Sequence, residues 1–175
     1  MELAKNGGTA VRTKSFPIWP QFDQEEEMAL AEVLESRKWF AGFLGGDKGS
    51  KVKKFEKMFA EFQGTSYGIA VMNGGAALTL SLRALGIGPE DEVIVPAYTY
   101  ISTATSVLHN NARPVIVDIE PEHLCIDPVK VRKSLSKKTK AIITVHYGGQ
   151  IANIDELQEI ADENELLLVE DACHA

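Results

Sequence analysis

Short apolar runs rich in β-branched residues recur at regular intervals through the second half of the chain. They predict five strands, at residues 67–72, 92–96, 114–119, 140–147 and 166–171. Segments with helical spacing separate them, near residues 76–85, 100–111, 128–136 and 154–164. Alternating strands and helices predict an α/β fold, with a mostly parallel sheet covered by helices on both faces. Ligands of such sheets bind beyond the carboxyl ends of the strands.

The first third of the chain has a different pattern. Residues 1–15 are polar and contain glycine, which predicts a flexible arm. Asp23 is a candidate N-cap for an amphipathic helix that carries acidic residues in its first turn. The stretch "GFLGGDKGS" should end that helix, and Ser50 should open a second helix that runs through Gln63.

Composition narrows the class of protein. The chain has 175 residues, of which 45% are hydrophobic and 25% charged, as in a soluble globular domain. Its net charge of −7 disfavours nucleic acid and anionic membrane as partners, so a small molecule is the expected ligand. Two cysteines, Cys125 and Cys173, form no CxxC pair, and no apolar run is long enough for a leader or a membrane span. These features predict a cytoplasmic protein.

The turn Asn73-Gly74-Gly75 joins the first predicted strand to a helix. Free N–H groups and the helix dipole at such a junction favour a bound phosphate. The alternative is a tight turn that binds nothing, and the local sequence does not decide between the two.

Two further strand ends carry candidate ligand contacts. Tyr98 and Tyr100 follow the second strand, where an aromatic ring could stack on a flat heteroaromatic ligand or pack in the core. Asp171 ends the last strand and could accept a hydrogen bond from a protonated ring nitrogen. It could equally cap a following helix.

The sequence gives little support for a metal site or for a serine or cysteine nucleophile. The four histidines, at positions 109, 123, 146 and 174, show no metal-ligand spacing, so no metal site is expected. There is no GxSxG motif, and Cys173 is expected to pack rather than to act as a nucleophile.

A phosphate turn, a stacking aromatic residue and a strand-end aspartate occur here in that order. The segments "NGGAALTLSLRALGIGPEDEVIVPAYTYIST", "KKTKAIITVHYGGQIANIDELQEIA" and "LLLVEDACHA" lie within a longer similarity from Phe16 to Ala175. Over this range the chain resembles the DegT/DnrJ/StrS family of pyridoxal 5′-phosphate (PLP) dependent sugar aminotransferases. The resemblance implies the large domain of fold type I PLP enzymes, which work as homodimers.

The resemblance also implies roles for single residues. Gly74, Gly75 and Ala76 would hold the cofactor phosphate, and Tyr100 would stack on the pyridine ring. Asp171 would pair with the pyridinium nitrogen, and His174 would lie near the phenolic oxygen of the ring. The family usually has Ser or Thr where this chain has Gly75, so one hydroxyl contact is missing.

The implied reaction moves an amino group from glutamate or glutamine to a keto sugar or a keto-cyclitol. The opening "FPIWPQFD" is similar to the branch of scyllo-inosose aminotransferases and 3-amino-5-hydroxybenzoate synthases. The family's catalytic lysine follows the "EDA" motif and is expected beyond Ala175. Residues 16–175 would then be the N-terminal portion of the large domain, ending before that lysine and the C-terminal small domain.

Two alternatives stay open at this stage. In PLP-dependent sugar dehydratases of the same family a histidine replaces the lysine. The 175-residue chain could also be a non-catalytic fragment that acts as a binding module. On either aminotransferase or dehydratase interpretation, the chain alone is expected to be inactive.

Overall fold

The computed structural model describes residues 2–40 and 50–175. The chain divides into two compact units, Met1–Ala70 and Val71–Ala175. The glycines expected to end the first helix, within 42–49, lie outside the described residues.

The first unit contains the two predicted helices, α1 (Gln24–Ser36) and α2 (Lys51–Gln63). Asp23 caps α1 as predicted, because its carboxylate accepts the Glu25 N–H at 2.8 Å while Glu26 accepts the Asp23 N–H at 2.8 Å. This reciprocal capping box satisfies N–H groups that the helix itself cannot pair. Helix α1 ends at Ser36, where the next residue adopts a left-handed conformation.

The second unit is built on one parallel sheet. Its strands are β1 (Glu92–Pro96), β2 (Arg113–Val117), β3 (Thr139–Val145) and β4 (Leu167–Asp171). Its helices are α3 (Gly74–Ala84), α4 (Ser102–His109), α5 (Pro128–Ser134) and α6 (Ile154–Glu163). The strands lie in the order β2-β1-β3-β4, and each neighbouring pair is parallel.

Alternate residues of the central strands face opposite layers of core. Val93 and Val95 of β1 pack with α3 and α4, through side chains that include Leu82 and Val107. Ile94, between them, packs with α5 and α6, through side chains that include Leu157. The period of two along a strand produces this division. Helices therefore cover both faces of the sheet, and the predicted α/β fold is confirmed.

The predicted strand at 67–72 is wrong. These residues make no strand ladder in the described chain. The N–H of Ala70 donates instead to the side chain of Glu56 at 3.0 Å, and the carbonyl of Tyr67 accepts from the Thr65 hydroxyl. An apolar, β-branched segment becomes a strand only when a neighbouring strand pairs with its backbone.

The strand order fixes where a ligand can enter. After β1 the chain moves outward to β2, and then returns past β1 to β3. The direction of winding thus reverses between β1 and β3. Parallel sheets open a crevice at the carboxyl ends of two such strands.

Candidate active site

A cleft of about 520 Å³ lies at the carboxyl edge of the sheet in the second unit. Its walls come from the start of α3, from the segments after β1 and β4, and from the end of β3. The lining residues are Asn73, Gly74, Gly75, Leu78, Thr99, Tyr100, Ser102, Val145, Asp171, Cys173 and His174. Five of the six residues assigned to the cofactor by resemblance thus line one cavity.

Ala76 is the sixth residue, and it does not line this cleft. Its N–H donates to the Asn73 side chain at 2.8 Å, since Asn73 is the N-cap of α3. That N–H is therefore already paired, whereas the first two N–H groups of α3, at Gly74 and Gly75, have no partner within the helix.

The two glycines of the turn keep this corner of the cleft open. A Cβ atom on Gly74 would lie 2.8 Å from Cys173 Sγ. A Cβ atom on Gly75 would lie 3.2 Å from the Cβ of Ser102. A side chain at either position would fill space between the start of α3 and the opposite walls.

Asp171 is the last residue of β4 and is 8% exposed. Its Oδ1 accepts the Cys173 N–H at 3.2 Å, and its Oδ2 accepts the Thr103 hydroxyl at 3.4 Å. The Thr99 and Thr103 hydroxyl oxygens are 2.8 Å apart, so Thr99 can donate to Thr103. These contacts orient a buried carboxylate toward the cleft.

Cys173 lies beside that carboxylate. The hydrogen bond of its thiol to Asp171, together with burial, raises the pKa of Cys173 to about 11. The thiol therefore stays protonated at neutral pH, where a thiolate would be needed for nucleophilic attack. This agrees with the expectation that Cys173 is not a nucleophile, but the expectation that it packs is wrong, because Cys173 is exposed and lines the cleft.

Tyr100 and His174 complete the polar and aromatic wall. Tyr100 is 72% exposed, so its side chain is accessible to a ligand in the cleft. The Gly148 N–H donates to His174 Nδ1 at 3.1 Å, which requires a lone pair on Nδ1 and places the proton of the neutral ring on Nε2. His174 also packs edge-on against Tyr147, with ring centroids 5.3 Å apart.

Sequence reasoning gave no role to the hydroxyl groups of Thr99, Ser102 and Thr103. Each lies within seven residues of the end of β1, in "YTYIST", so their nearness to a strand end was visible. Which hydroxyls face the cleft depended on where α4 begins, and the helix was predicted to start near residue 100. It starts at Ser102.

The fold and the cleft together define an α/β protein with a candidate ligand site at the carboxyl edge of its parallel sheet. The chain belongs to the DegT/DnrJ/EryC1/StrS aminotransferase family, whose model matches residues 20–175. This confirms the family suggested by the sequence.

Named relatives and solved structures agree with this assignment. The chain is 37% identical over 173 residues to the L-glutamine:2-deoxy-scyllo-inosose aminotransferase of Streptomyces lividus, covering 99% of this chain and 41% of that protein. It superposes on 3-amino-5-hydroxybenzoic acid synthase with a TM-score of 0.83 and 36% identity, over 92% of this chain and 41% of the other. It superposes on NtdA of Bacillus subtilis with bound cofactor PMP with a TM-score of 0.77 and 32% identity, over 95% of this chain and 39% of the other.

The chain therefore spans about two fifths of the length of the relatives it matches. Within residues 2–40 and 50–175, no helix is long and apolar enough to cross a membrane.

Proposed function

We propose that the cleft binds PLP and that the whole protein is an aminotransferase. One observation carries this proposal: a buried, oriented carboxylate, Asp171, shares a cavity with the open N-terminus of α3. The first group suits a protonated ring nitrogen and the second suits a phosphate, so both ends of PLP find partners. A solved relative with bound PMP supports the same cofactor.

Asp171 would hold a proton on the ring nitrogen of the cofactor. When bound, PLP supplies the electron sink for amino transfer, and its capacity depends on that protonated nitrogen. The hydroxyl of Thr103 and the Cys173 N–H both donate to the carboxylate and fix it in place. Charge-assisted hydrogen bonds of this kind are worth roughly 1.5–3 kcal/mol.

Tyr100 and His174 would position the ring. An exposed tyrosine face offers a stacking surface, and stacked aromatic pairs contribute about 0.5–1.5 kcal/mol beyond the area they bury. The proton on His174 Nε2 is available to the phenolic oxygen of the cofactor, because Nδ1 is already engaged by Gly148.

The reaction proposed for the whole protein transfers an amino group from glutamine or glutamate to a keto-cyclitol or a keto sugar. The name of the Streptomyces lividus relative supports glutamine as donor and a keto-cyclitol as acceptor. We further propose a homodimer in the cytoplasm and a catalytic lysine beyond Ala175. The sugar dehydratase alternative is not favoured, because the named relatives are aminotransferases.

The test is an amino-transfer assay with the protein encoded by the complete coding region. Purified protein is incubated with PLP, L-glutamine and either 2-deoxy-scyllo-inosose or a keto nucleotide sugar, and the aminated product is measured by mass spectrometry. Asp171→Asn should nearly abolish product formation, because a neutral amide cannot stabilise the cationic ring. Asp155→Asn, on the exposed side of α6, is the matched control and should leave the rate unchanged.

Two results would contradict the proposal. One is the absence of an aminated product from every keto-cyclitol and keto sugar tried. The other is a wild-type rate in the Asp171→Asn protein.

A further inference from the structure

We propose that the hydroxyl of Ser102 binds the phosphate of the cofactor and completes the anion site that the start of α3 begins. This inference rests on the proposed function, since it concerns the same cleft. It assigns a positioning role to a residue that the sequence did not single out.

Ser102 is placed at the phosphate end of the cleft. It is the first residue of α4, and it lines the same cavity as Gly74 and Gly75. A Cβ atom built on Gly75 would lie 3.2 Å from the Cβ of Ser102 and 3.6 Å from its Oγ. The starts of α3 and α4 therefore meet at this point, with only the hydrogens of a glycine between them.

The hydroxyl of Ser102 is available. Within residues 2–40 and 50–175 its side chain has no hydrogen-bond partner. The neighbouring hydroxyls differ, because Thr99 and Thr103 bond to each other and Thr103 also donates to Asp171. At the start of α3, Asn73 Oδ1 is engaged by the Ala76 N–H.

The described lining of the cleft has no cationic side chain, so a hydroxyl there would be an important phosphate contact. No lysine or arginine is among the described residues that line the cavity. What the described residues offer a phosphate is therefore N–H groups, helix dipoles and hydroxyls rather than an ion pair. Two helix N-termini converge here, each equivalent to roughly half a positive charge. Helix α4 has no side-chain cap on its first N–H groups.

The glycine at position 75 fits this arrangement. A serine there would bring a hydroxyl from α3, but its Cβ would crowd Ser102. A phosphate-binding hydroxyl could thus come either from a serine at position 75 or from one at position 102. In this chain it comes from Ser102 of α4.

The experiment measures dissociation constants of the full chain for PLP and for pyridoxal, which lacks the phosphate, by absorbance titration. Ser102→Ala should weaken PLP binding about tenfold, the loss expected for one hydrogen bond to a charged group. Pyridoxal binding should not change. Ser81→Ala, an exposed serine on α3, is the matched control and should bind both ligands as the wild type does.

A second variant keeps the test independent of any effect on folding. Gly75→Ser combined with Ser102→Gly moves the hydroxyl to α3 and removes the Cβ atom that it would crowd, so it should restore PLP binding to within about threefold of wild type. Gly75→Ser alone should not tighten binding. Circular dichroism melting curves verify that each variant is folded.

The outcomes separate the two proposals. If the wild type binds PLP more tightly than pyridoxal and Ser102→Ala does so equally well, the role of Ser102 is overturned while PLP binding stands. An equal loss for PLP and pyridoxal would also overturn it, because the loss would not involve the phosphate. If the wild type binds neither ligand, or binds both alike, the cofactor assignment fails as well.

Discussion

Asp171 and Cys173 form a pair whose chemistry can be measured without any ligand. The Asp171 carboxylate raises the pKa of the neighbouring thiol to about 11, from an ordinary value of 9.0. At pH 8 only about 0.1% of Cys173 is then thiolate, the form that reacts with alkylating agents.

We predict that Asp171→Asn makes Cys173 at least about tenfold more reactive toward iodoacetamide at pH 8, because removal of the negative charge lowers the pKa of the thiol. In the wild type the rate should still be rising between pH 9 and pH 11. Mass spectrometry assigns the label, with Cys125, which is 1% exposed, as an internal reference. Equal rates in the two proteins would show that the carboxylate does not contact the thiol.

Gly74 gives a second test at the scale of single residues. Gly74→Ala should lower the free energy of unfolding by at most about 1 kcal/mol, because the new methyl group meets Cys173 Sγ and the exposed cysteine side chain must move. Combining it with Cys173→Ala should recover most of the loss in urea denaturation. Gly88→Ala is the control, since a Cβ there meets nothing within 4 Å. A double variant no more stable than Gly74→Ala would refute the proposed contact.

Sequence reasoning found Asp171 because it ends an apolar strand, where parallel sheets place ligands. It found the glycine turn because the turn begins a helix, although the strand expected before that turn does not form. Ser102 escaped the same reasoning. Its proposed role depends on the close approach of the starts of α3 and α4, and no local sequence pattern encodes that approach. The pairing of Ala76 with Asn73 was hidden for a related reason, because helix caps depend on the exact residue at which a helix starts.

At the scale of secondary-structure elements, the stability of the short helix α5 depends on its N-cap residue, Asp127. Asp127 accepts N–H bonds from Val129 at 2.9 Å and from Lys130 at 3.3 Å, and Pro128 occupies the first turn. The helix has only seven residues, so these contacts support a large share of it.

Asp127→Ala should therefore lower the free energy of unfolding by about 1 kcal/mol, the usual cost of losing an N-cap. Asp127→Asn keeps a capping oxygen and should cost much less. Urea denaturation followed by circular dichroism gives both values. Equal losses in the two variants would mean that charge, rather than capping, links Asp127 to α5.

Periodicity and apolar runs located the six α-helices of the described residues, and four of the five predicted strands form. In the second unit the pattern is strong because each of these elements packs apolar side chains into the core of that unit. Segment 67–72 has the same composition as a strand but lacks a backbone neighbour in the described chain. Composition reports the preference of a segment, whereas a strand also requires a partner. This is the physical limit of strand prediction from sequence alone.

At the scale of the whole molecule, the two units differ in how many of their apolar side chains are buried. The second unit contains two well-formed core clusters. In the described part of the first unit, Ala60 alone is buried. The large apolar side chains of α2 are exposed there, at Val52, Phe55, Phe59 and Phe62. Exposed apolar area on this scale is typical of a surface that another segment or another chain covers.

We predict that the 175-residue chain alone has no aminotransferase activity. None of the lysines in residues 2–40 and 50–175 lines the cleft. Incubation with PLP, reduction with borohydride and peptide mapping should find no single dominant pyridoxyl-lysine. One dominant labelled lysine, accompanied by turnover of an amino donor, would show that the catalytic lysine is already present.

The central claim is that one cleft holds both ends of PLP, and a crystal structure of the chain grown with PLP tests it most directly. The phosphate should lie within hydrogen-bond distance of the Gly75 N–H and Ser102 Oγ, and the ring nitrogen roughly 2.7–2.9 Å from the Asp171 carboxylate. A cofactor bound outside this cleft, or a ring whose nitrogen points away from Asp171, would contradict the account.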